Sequence, residues 1–427
     1  MPLPQPLAQA SPLAEAIDTA AHALNDSVIA WRRDLHAHPE LGNREFRTAG
    51  IVAEHLRALG FDEVRTAVAH TGVVGLLRGG LPGPVVALRA DMDALPVTEQ
   101  VDVPFASKVK AVWNGEEVGV MHACGHDAHT AILMGVASVL AGLRAQLRGT
   151  VKFIFQPAEE MPPEGEEGGA ALMIREGALE KPAPQAIFGL HITSRLPVGQ
   201  IGYRPGPTMA SSDKLKITVH GRQTHGAAPW LGVDPIVTAA QVVLGLQTVV
   251  ARTQDITREP AVVTIGAIKG GVRENIIPDS VEMRGTIRSF DEGMRDDIHE
   301  RVTTLAESIS RGNRAGCAVC ITKNYPVTVN DPALTEAMLP TLARVAQATP
   351  GGCLQLVPKV TGAEDFSFFQ QLIPGLFFFI GVTPEGTDPT QAAPNHSPRF
   401  YADERSLAQG VRALAQLAAD YLHSRAG

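Results

Sequence analysis

At 427 residues the chain is long enough for two domains with ample core. Its 44% apolar and 19% charged content is ordinary for a soluble globular enzyme, and a net charge of -8 without a basic run argues against nucleic acid as the main partner. No apolar run approaches the ~20 residues that span a bilayer, so no membrane partner is expected.

The first ten residues hold three prolines and lack a positive segment followed by an apolar one. No secretory leader is read there, and the expected location is the cytoplasm; a chain whose leader had been removed would read the same, which keeps a periplasmic or secreted location open. Cys124, Cys317, Cys320 and Cys353 are too few and too scattered for a disulfide scaffold. Cys317 and Cys320 form a CxxC without a second pair, in a β-like run.

In chain order, the first clear helix runs from Thr48 to Leu59 and stops at Gly60. The strand-like run Val85 to Ala90 leads into Asp91-Met92-Asp93. Next comes Met121-His122-Ala123-Cys124-Gly125-His126-Asp127-Ala128-His129. Cys124 and His126 are two apart, so in extended chain they share a side and can face one ion. Helical periodicity starts only near Thr130, in the stripe Ile132, Val136, Val139, Leu140, Leu143 and Leu147, which predicts that the pair sits on a loop entering a helix.

Val151 to Phe155 is a strand running into Gln156-Pro157-Ala158-Glu159-Glu160. Adjacent residues in extended chain point to opposite sides, so one glutamate can ligate metal while the other works on water. Ile187 to Leu190 runs into His191. Polar groups that follow strands in this way gather at the carboxyl ends of an open α/β sheet, where sites form. Each signal alone has a structural reading: a lone buried His is usually a hydrogen-bonded core residue, a lone Cys beside Gly is inert core, and paired glutamates are solvated surface. Together the imidazole, carboxylate and thiolate types point to zinc, with manganese, cobalt or nickel by occupancy.

The middle of the chain changes character at Arg204-Pro205-Gly206-Pro207. Lys214 to Gly221 alternates as a strand, Pro235 to Val250 reads as a helix, Ala261 to Ile268 and Val281 to Ile287 as strands, Met294 to Ser310 as a helix and Cys317 to Lys323 as a strand. That βαββαβ order predicts a ferredoxin-like module, closed by Tyr325-Pro326. Three of its polar residues stand out: His225 in a small-residue turn, Asn275 after Gly270-Gly271, and Arg288 at a strand end. Each alone is more often a turn former or surface charge.

Phe377 to Ile380 adds a buried run, His396 follows in Pro394-Asn395-His396-Ser397-Pro398, and the last helix carries Leu407, Val411, Leu414, Leu417 and Tyr421. Because Glu159, Glu160 and His191 precede the module and His396 follows it, one site using all four makes residues 1–206 and 326–427 one domain and 207–325 an insertion.

The chain resembles the aminoacylase and carboxypeptidase family of dinuclear metallohydrolases, closest to its hippurate hydrolases, N-acetyl-amino-acid deacetylases and auxin-conjugate amidohydrolases. The matching motifs are Asp34-Leu35-His36-Ala37-His38-Pro39-Glu40-Leu41, Arg89-Ala90-Asp91-Met92-Asp93-Ala94-Leu95-Pro96, Cys124-Gly125-His126-Asp127, Gln156-Pro157-Ala158-Glu159-Glu160, Gly362-Ala363-Glu364-Asp365-Phe366 and Asn395-His396-Ser397. The resemblance implies an α/β fold, a three-layer αβα metal-binding domain carrying the ferredoxin-like insertion as a lid or dimerisation domain.

It also implies two divalent metal ions held by Cys124, His126, Glu160, His191 and His396, with Cys124 as a bridge, Glu159 as general base, and Asp93 orienting a ligand. Many members of the wider family have His-x-Asp where this chain has Asp91-Met92-Asp93, so Asp91 is not counted as a ligand. His225 is implied as the oxyanion donor, in many members reaching into the site of a dimer partner, and Asn275 and Arg288 as groups that meet the substrate carboxylate. The expected reaction is hydrolysis of an N-acyl amino acid, aromatic or bulky in its acyl part, by a homodimer or higher homo-oligomer. The near rival is a carboxypeptidase or dipeptidase on the same scaffold. A non-catalytic binding relative is the distant one, and it would have no use for Glu159.

Overall fold

The computed structural model describes residues 10–425, so the reading of the N-terminus falls almost wholly outside the described residues. Two compact units are present. One takes the chain up to Gly206, Asn330–Pro358 and everything from Phe368; the other takes Pro207–Val329 and Lys359–Ser367.

The first unit is α/β. Its eight-stranded mixed sheet places the strands beginning at Glu63, Gly72, Arg148, Leu81, Ala186, Gly375, Gln200 and Cys353 side by side in that order. The four central strands, Arg148–Gln156, Leu81–Asp91, Ala186–Pro197 and Gly375–Thr383, are mutually parallel. Parallel strands are buried on both faces, which is why Phe153–Phe155 and Phe377–Ile380 are continuous apolar runs without alternation. Asp91 lies opposite Gln156, and Arg89 opposite Gly189, so the carboxyl ends of three strands open on one rim.

Two local expectations change. The Ala186 strand continues to Pro197, so His191 lies within it rather than after it. The helix expected from Thr130 begins at His126 and runs to Gly142. Its first turn is polar and reads poorly by periodicity, yet it is fully buried, because Asp127 meets His36 Nδ1 and Arg32 Nε, each at 2.8 Å.

The last helix, Arg405–Ser424, looks amphipathic in sequence but is buried nearly all round. Its polar face is paired instead of wet. Gln409 donates to Gly199 O at 2.7 Å, Arg412 and Gln416 meet Asp18 at 2.7 and 2.6 Å, and Asp420 accepts from Thr341 at 2.6 Å. Sequence period alone cannot distinguish a solvated polar stripe from one matched by distant partners.

The second unit has an antiparallel four-stranded sheet, with the strands beginning at Ala261, Ser280, Ser212 and Gly316 in that order. With the helices Pro235–Thr253 and Glu292–Gly312 this is a βαββαβ unit. Its core includes Leu215, Ile217, Val242, Leu246, Met283, Ile298 and Val302. Asp234 caps the first helix and Asp291 the second, each accepting from backbone N–H groups of the first turn. Cys317 faces that core opposite Val219, whereas Cys320 is exposed opposite Lys216. Three residues apart on a strand they point to opposite faces, so they do not form a metal or redox pair.

The helix Pro235–Thr253 extends past the expected Val250 and is long and apolar enough, by length and composition, to cross a membrane. That departs from the expectation of no such run. Ala239, Val242, Leu246 and Val249 pack it into the unit's own core, while Leu244 on another face is 72% exposed.

Candidate metal centre

The site is built on two unusual turns. Gly125, between Cys124 and His126, has φ 99°, and a Cβ there would stand 2.3 Å from Ile192 Cδ1. Only glycine fits, and this left-handed link, not an extended strand, sets the directions of Cys124 and His126. After the strand Arg148–Gln156 the chain turns through Ala158 at φ 51°, so Glu159 and Glu160 sit in a turn. Their side chains do not diverge as an extended backbone would require; one oxygen of each lies with a His126 nitrogen in a group spanning no more than 4.8 Å.

Among the donor groups that result, three join the expected residues to one another, each within 4.8 Å: Cys124, His126 and His191; Cys124, Glu160 and His396; and His126, Glu159 and Glu160. The structure therefore brings together Cys124, His126, Glu159, Glu160, His191 and His396. Cys124 Sγ is 3.3 Å from both His191 Nε2 and His396 Nε2, and His396 Nε2 is 2.8 Å from Glu160 Oε1. His396 has φ 72° and is exposed, yet its N–H donates to Ala123 O at 2.8 Å. Neighbouring Asn395 donates to Cys124 O at 3.0 Å and Ile192 O at 3.2 Å, which pins the loop to the site.

Ring hydrogen bonds separate histidines with a nitrogen left for an ion from those without one. His191 Nδ1 donates to Ile192 O at 2.6 Å, leaving the Nε2 lone pair toward Cys124. His126 Nδ1 faces Asp93 Oδ1 at 3.2 Å, and its buried Nε2 has no hydrogen-bond partner. A neutral imidazole held by carboxylate at one nitrogen and bare at the other is the usual state of a metal ligand. His129 is the opposite case. Its Nδ1 is 2.6 Å from Asp91 Oδ1 and its Nε2 accepts from Ile192 N at 2.9 Å, so neither nitrogen is left for an ion. Asp91 is likewise consumed, with its other oxygen on Arg89 Nη1 at 2.6 Å. His122 is buried, and burial pushes its pKa down to about 4, so it is neutral.

Electrostatics also call for a cation. Burial, then the charges of Glu160, Glu159 and Asp91, drive the Cys124 thiol well above its ordinary range. Burial opposes charge on His126, but Asp91 and Asp93 outweigh it and push its pKa up to about 10. A divalent ion would release the thiol proton and replace the proton on His126, relieving both. The donor set thus fits bound divalent metal, by the bare Nε2 of His126 and by the unbalanced carboxylates.

Asp93 serves two neighbours: besides facing His126, its Oδ2 accepts the N–H of Glu160 at 2.9 Å. Asp93→Asn should lower divalent-metal affinity by about 10- to 100-fold, measured by competition with a chelator. Unchanged affinity would show that the imidazole needs no such partner.

Sequence reasoning missed Glu45. It is fully buried, accepting from Thr71 Oγ1 at 2.5 Å and from Ala158 N at 2.9 Å. Burial, then the charge of Asp93, raises its pKa to about 8. In the unfolded chain it titrates near ~4.3. Between these values the unfolded chain has released a proton that the folded one keeps. Its contribution to stability is therefore present below about 4.3 and lost as pH rises toward 8, by at most ~1.4 kcal/mol per pH unit. Urea unfolding of the metal-free protein at pH 5 and pH 8 should show this loss, and Glu45→Gln should remove it; identical pH slopes for the two proteins would show that Glu45 is already ionised. No motif points to this residue, since only burial singles it out.

The remaining expected site residues lie in the βαββαβ unit. His225 pairs with Ile276 in a two-stranded ribbon, and Gly226 N donates to Asn275 O at 2.8 Å, so His225 and Asn275 are neighbours. His225 Nδ1 accepts from Ala227 N at 2.9 Å, which leaves Nε2–H as an outward donor. Arg288 is on the strand Ser280–Ser289, half-buried, and its guanidinium has no hydrogen-bond or ion-pair partner among the described residues; burial lowers its pKa from the usual arginine range.

Imidazole, thiol and carboxylate donors converging at the carboxyl ends of a parallel sheet, with a further carboxylate beside them, define a metal-dependent hydrolase. The model of peptidase family M20/M25/M40 matches residues 87–420. Thermostable carboxypeptidase 2 of Saccharolobus solfataricus is 41% identical over 407 residues, 95% of this chain and 98% of that one. N-acetylcysteine deacetylase of Bacillus subtilis is 38% identical, covering 93% and 98%. The crystal structure of Bacillus subtilis YXEP protein, described as a dinuclear metal binding peptidase from the M20 family, matches with a TM-score of 0.78 at 37% identity, covering 94% and 99%. The chain belongs to peptidase family M20/M25/M40.

Proposed function

We propose that the protein hydrolyses the amide bond of N-acyl amino acids, with an aromatic or bulky acyl group, to a carboxylic acid and a free amino acid. The observation that carries this is Glu159, 95% buried, with Oε2 at 3.9 Å from the bare Nε2 of His126. It is a carboxylate poised beside the metal ligands. Cys124, His126, Glu160, His191 and His396 would hold two divalent ions, zinc or else manganese, cobalt or nickel. Bound there, the ions supply the positive charge that acidifies a water and polarises the amide carbonyl.

Glu159 takes the proton of the attacking water and returns it to the leaving nitrogen. Asp93 keeps His126 in the tautomer with Nε2 free and holds the turn at Glu160. His225 donates Nε2–H to the oxygen on which charge develops. Arg288, unpaired and planar, and Asn275 bind the substrate carboxylate.

A second reading, a carboxypeptidase or dipeptidase on the same site, is favoured by the 41% identity to a thermostable carboxypeptidase. A panel of hippurate, N-acetyl amino acids and dipeptides, run before and after chelation and with divalent ions restored, separates the two. N-acyl amino acids should be cleaved faster, and only with metal present. Cleavage of peptides alone would establish the second reading, and metal-independent cleavage would sink both.

We also infer that residues 207–325 form a dimerisation domain. Val237 and Leu244 lie exposed on the helix Pro235–Thr253, and Ile268 on the edge strand Ala261–Gly270 is 54% exposed. An open strand edge and exposed large apolar side chains in one unit suit a second protein surface.

A further inference from the structure

We propose that Glu45 is a positioning residue for Glu159, its buried carboxyl fixing through the N–H of Ala158 the turn on which Glu159 stands. The proposal rests on the reading of Glu159 as general base.

Ala158 is a non-glycine residue at φ 51°, a strained conformation for an L side chain that persists only where the surroundings impose it. The surroundings are specific. Ala158 N donates to Glu45 Oε1 at 2.9 Å, and Glu160 N donates to Asp93 Oδ2 at 2.9 Å. Ala158 and Glu160, the residues on either side of Glu159, therefore each have their N–H tied to a buried carboxyl. The loop leading to Glu45 lies against the same turn, since a Cβ on Gly42 would be 3.2 Å from both Ala158 Cα and Met161 O. Thr71 Oγ1 holds the far oxygen of Glu45 at 2.5 Å and so fixes the carboxyl itself.

Glu45 forms no ion pair with a cationic side chain among the described residues, and it does not belong to any of the donor groups of the metal centre. A fully buried acid whose donors are all neutral is an expensive way to satisfy one N–H. Its position explains the expense. A general base must keep its oxygen within about 2.6–3.2 Å of the proton it takes, and a shift of about 1 Å costs on the order of 100-fold in rate.

The test is a series at residue 45 in the full metal-loaded protein, assayed on an N-acyl amino acid that the parent cleaves, with metal content and thermal unfolding recorded. Glu45→Ala should lower kcat by about 100-fold with KM and metal content unchanged. Glu45→Gln should restore kcat to near the parent value, because its amide oxygen can accept from Ala158 N while its amide nitrogen donates to Thr71 Oγ1. Glu45→Asp, acidic but one methylene shorter, should stay low. If Ala does not fold, the Gln and Asp pair decides by the same criteria.

Active Asp with inactive Gln would replace positioning by a charge effect. Parent kcat throughout, or losses that track metal content or unfolding, would overturn the proposal. Glu159→Gln run alongside keeps the two readings apart. If it retains the parent rate, the general-base reading itself falls; if it is inactive while the Glu45 series is flat, only the positioning role falls.

Discussion

Glu159→Gln should lower kcat by about 100- to 10,000-fold with bound metal unchanged. Glutamine has the same shape and still hydrogen-bonds, but it cannot take a proton at neutral pH. Three neighbouring carboxylates have other tasks: Asp91 meets Arg89 and His129, Asp93 meets His126 and Glu160 N, and Glu160 meets His396. Metal analysis together with single-turnover hydrolysis measures the effect. A variant that keeps its metal and the parent rate would remove Glu159 from the chemistry.

His225→Ala should lower kcat by about 100- to 1,000-fold, as loss of one oxyanion donor usually does. The outward Nε2–H is set by the bond from Ala227 N to Nδ1, so the donor is oriented before substrate arrives. A His225→Gln variant, which restores an N–H at a different reach, should recover part of the loss. If His225 acts on the site of a partner subunit, mixing Glu159→Gln with His225→Ala subunits restores activity, because a mixed dimer holds one site with both groups intact. No recovery on mixing places His225 in its own chain's site. A parent rate in His225→Ala alone would end its assignment as a donor.

The donor side chains that the fold brings together were legible because the signal is chemical. Cys124, His126, Glu160, His191 and His396 are residue types that bind soft or borderline cations, placed at or near strand ends, and the βαββαβ order showed in alternating strands and helical stripes. The helix at His126 and the run of His191 inside its strand were less legible. In both, polar residues occupy buried positions whose partners, such as Arg32 and His36 for Asp127, lie far away in the chain. Periodicity registers what faces water, and these residues face each other.

By itself the sequence determined which donor types are present, that they straddle an insertion, and that two glutamates stand side by side among them. Only the tertiary structure decided which histidines are available. His126 and His129 are one turn apart on the same helix, yet one keeps a bare Nε2 and the other has both nitrogens occupied. It also replaced two extended segments by left-handed links at Gly125 and Ala158, and brought Glu45 behind the second. The physical reason is common to all three. A lone pair, a strained φ and a buried acid are each set by non-local hydrogen bonds, which neither composition nor spacing encodes.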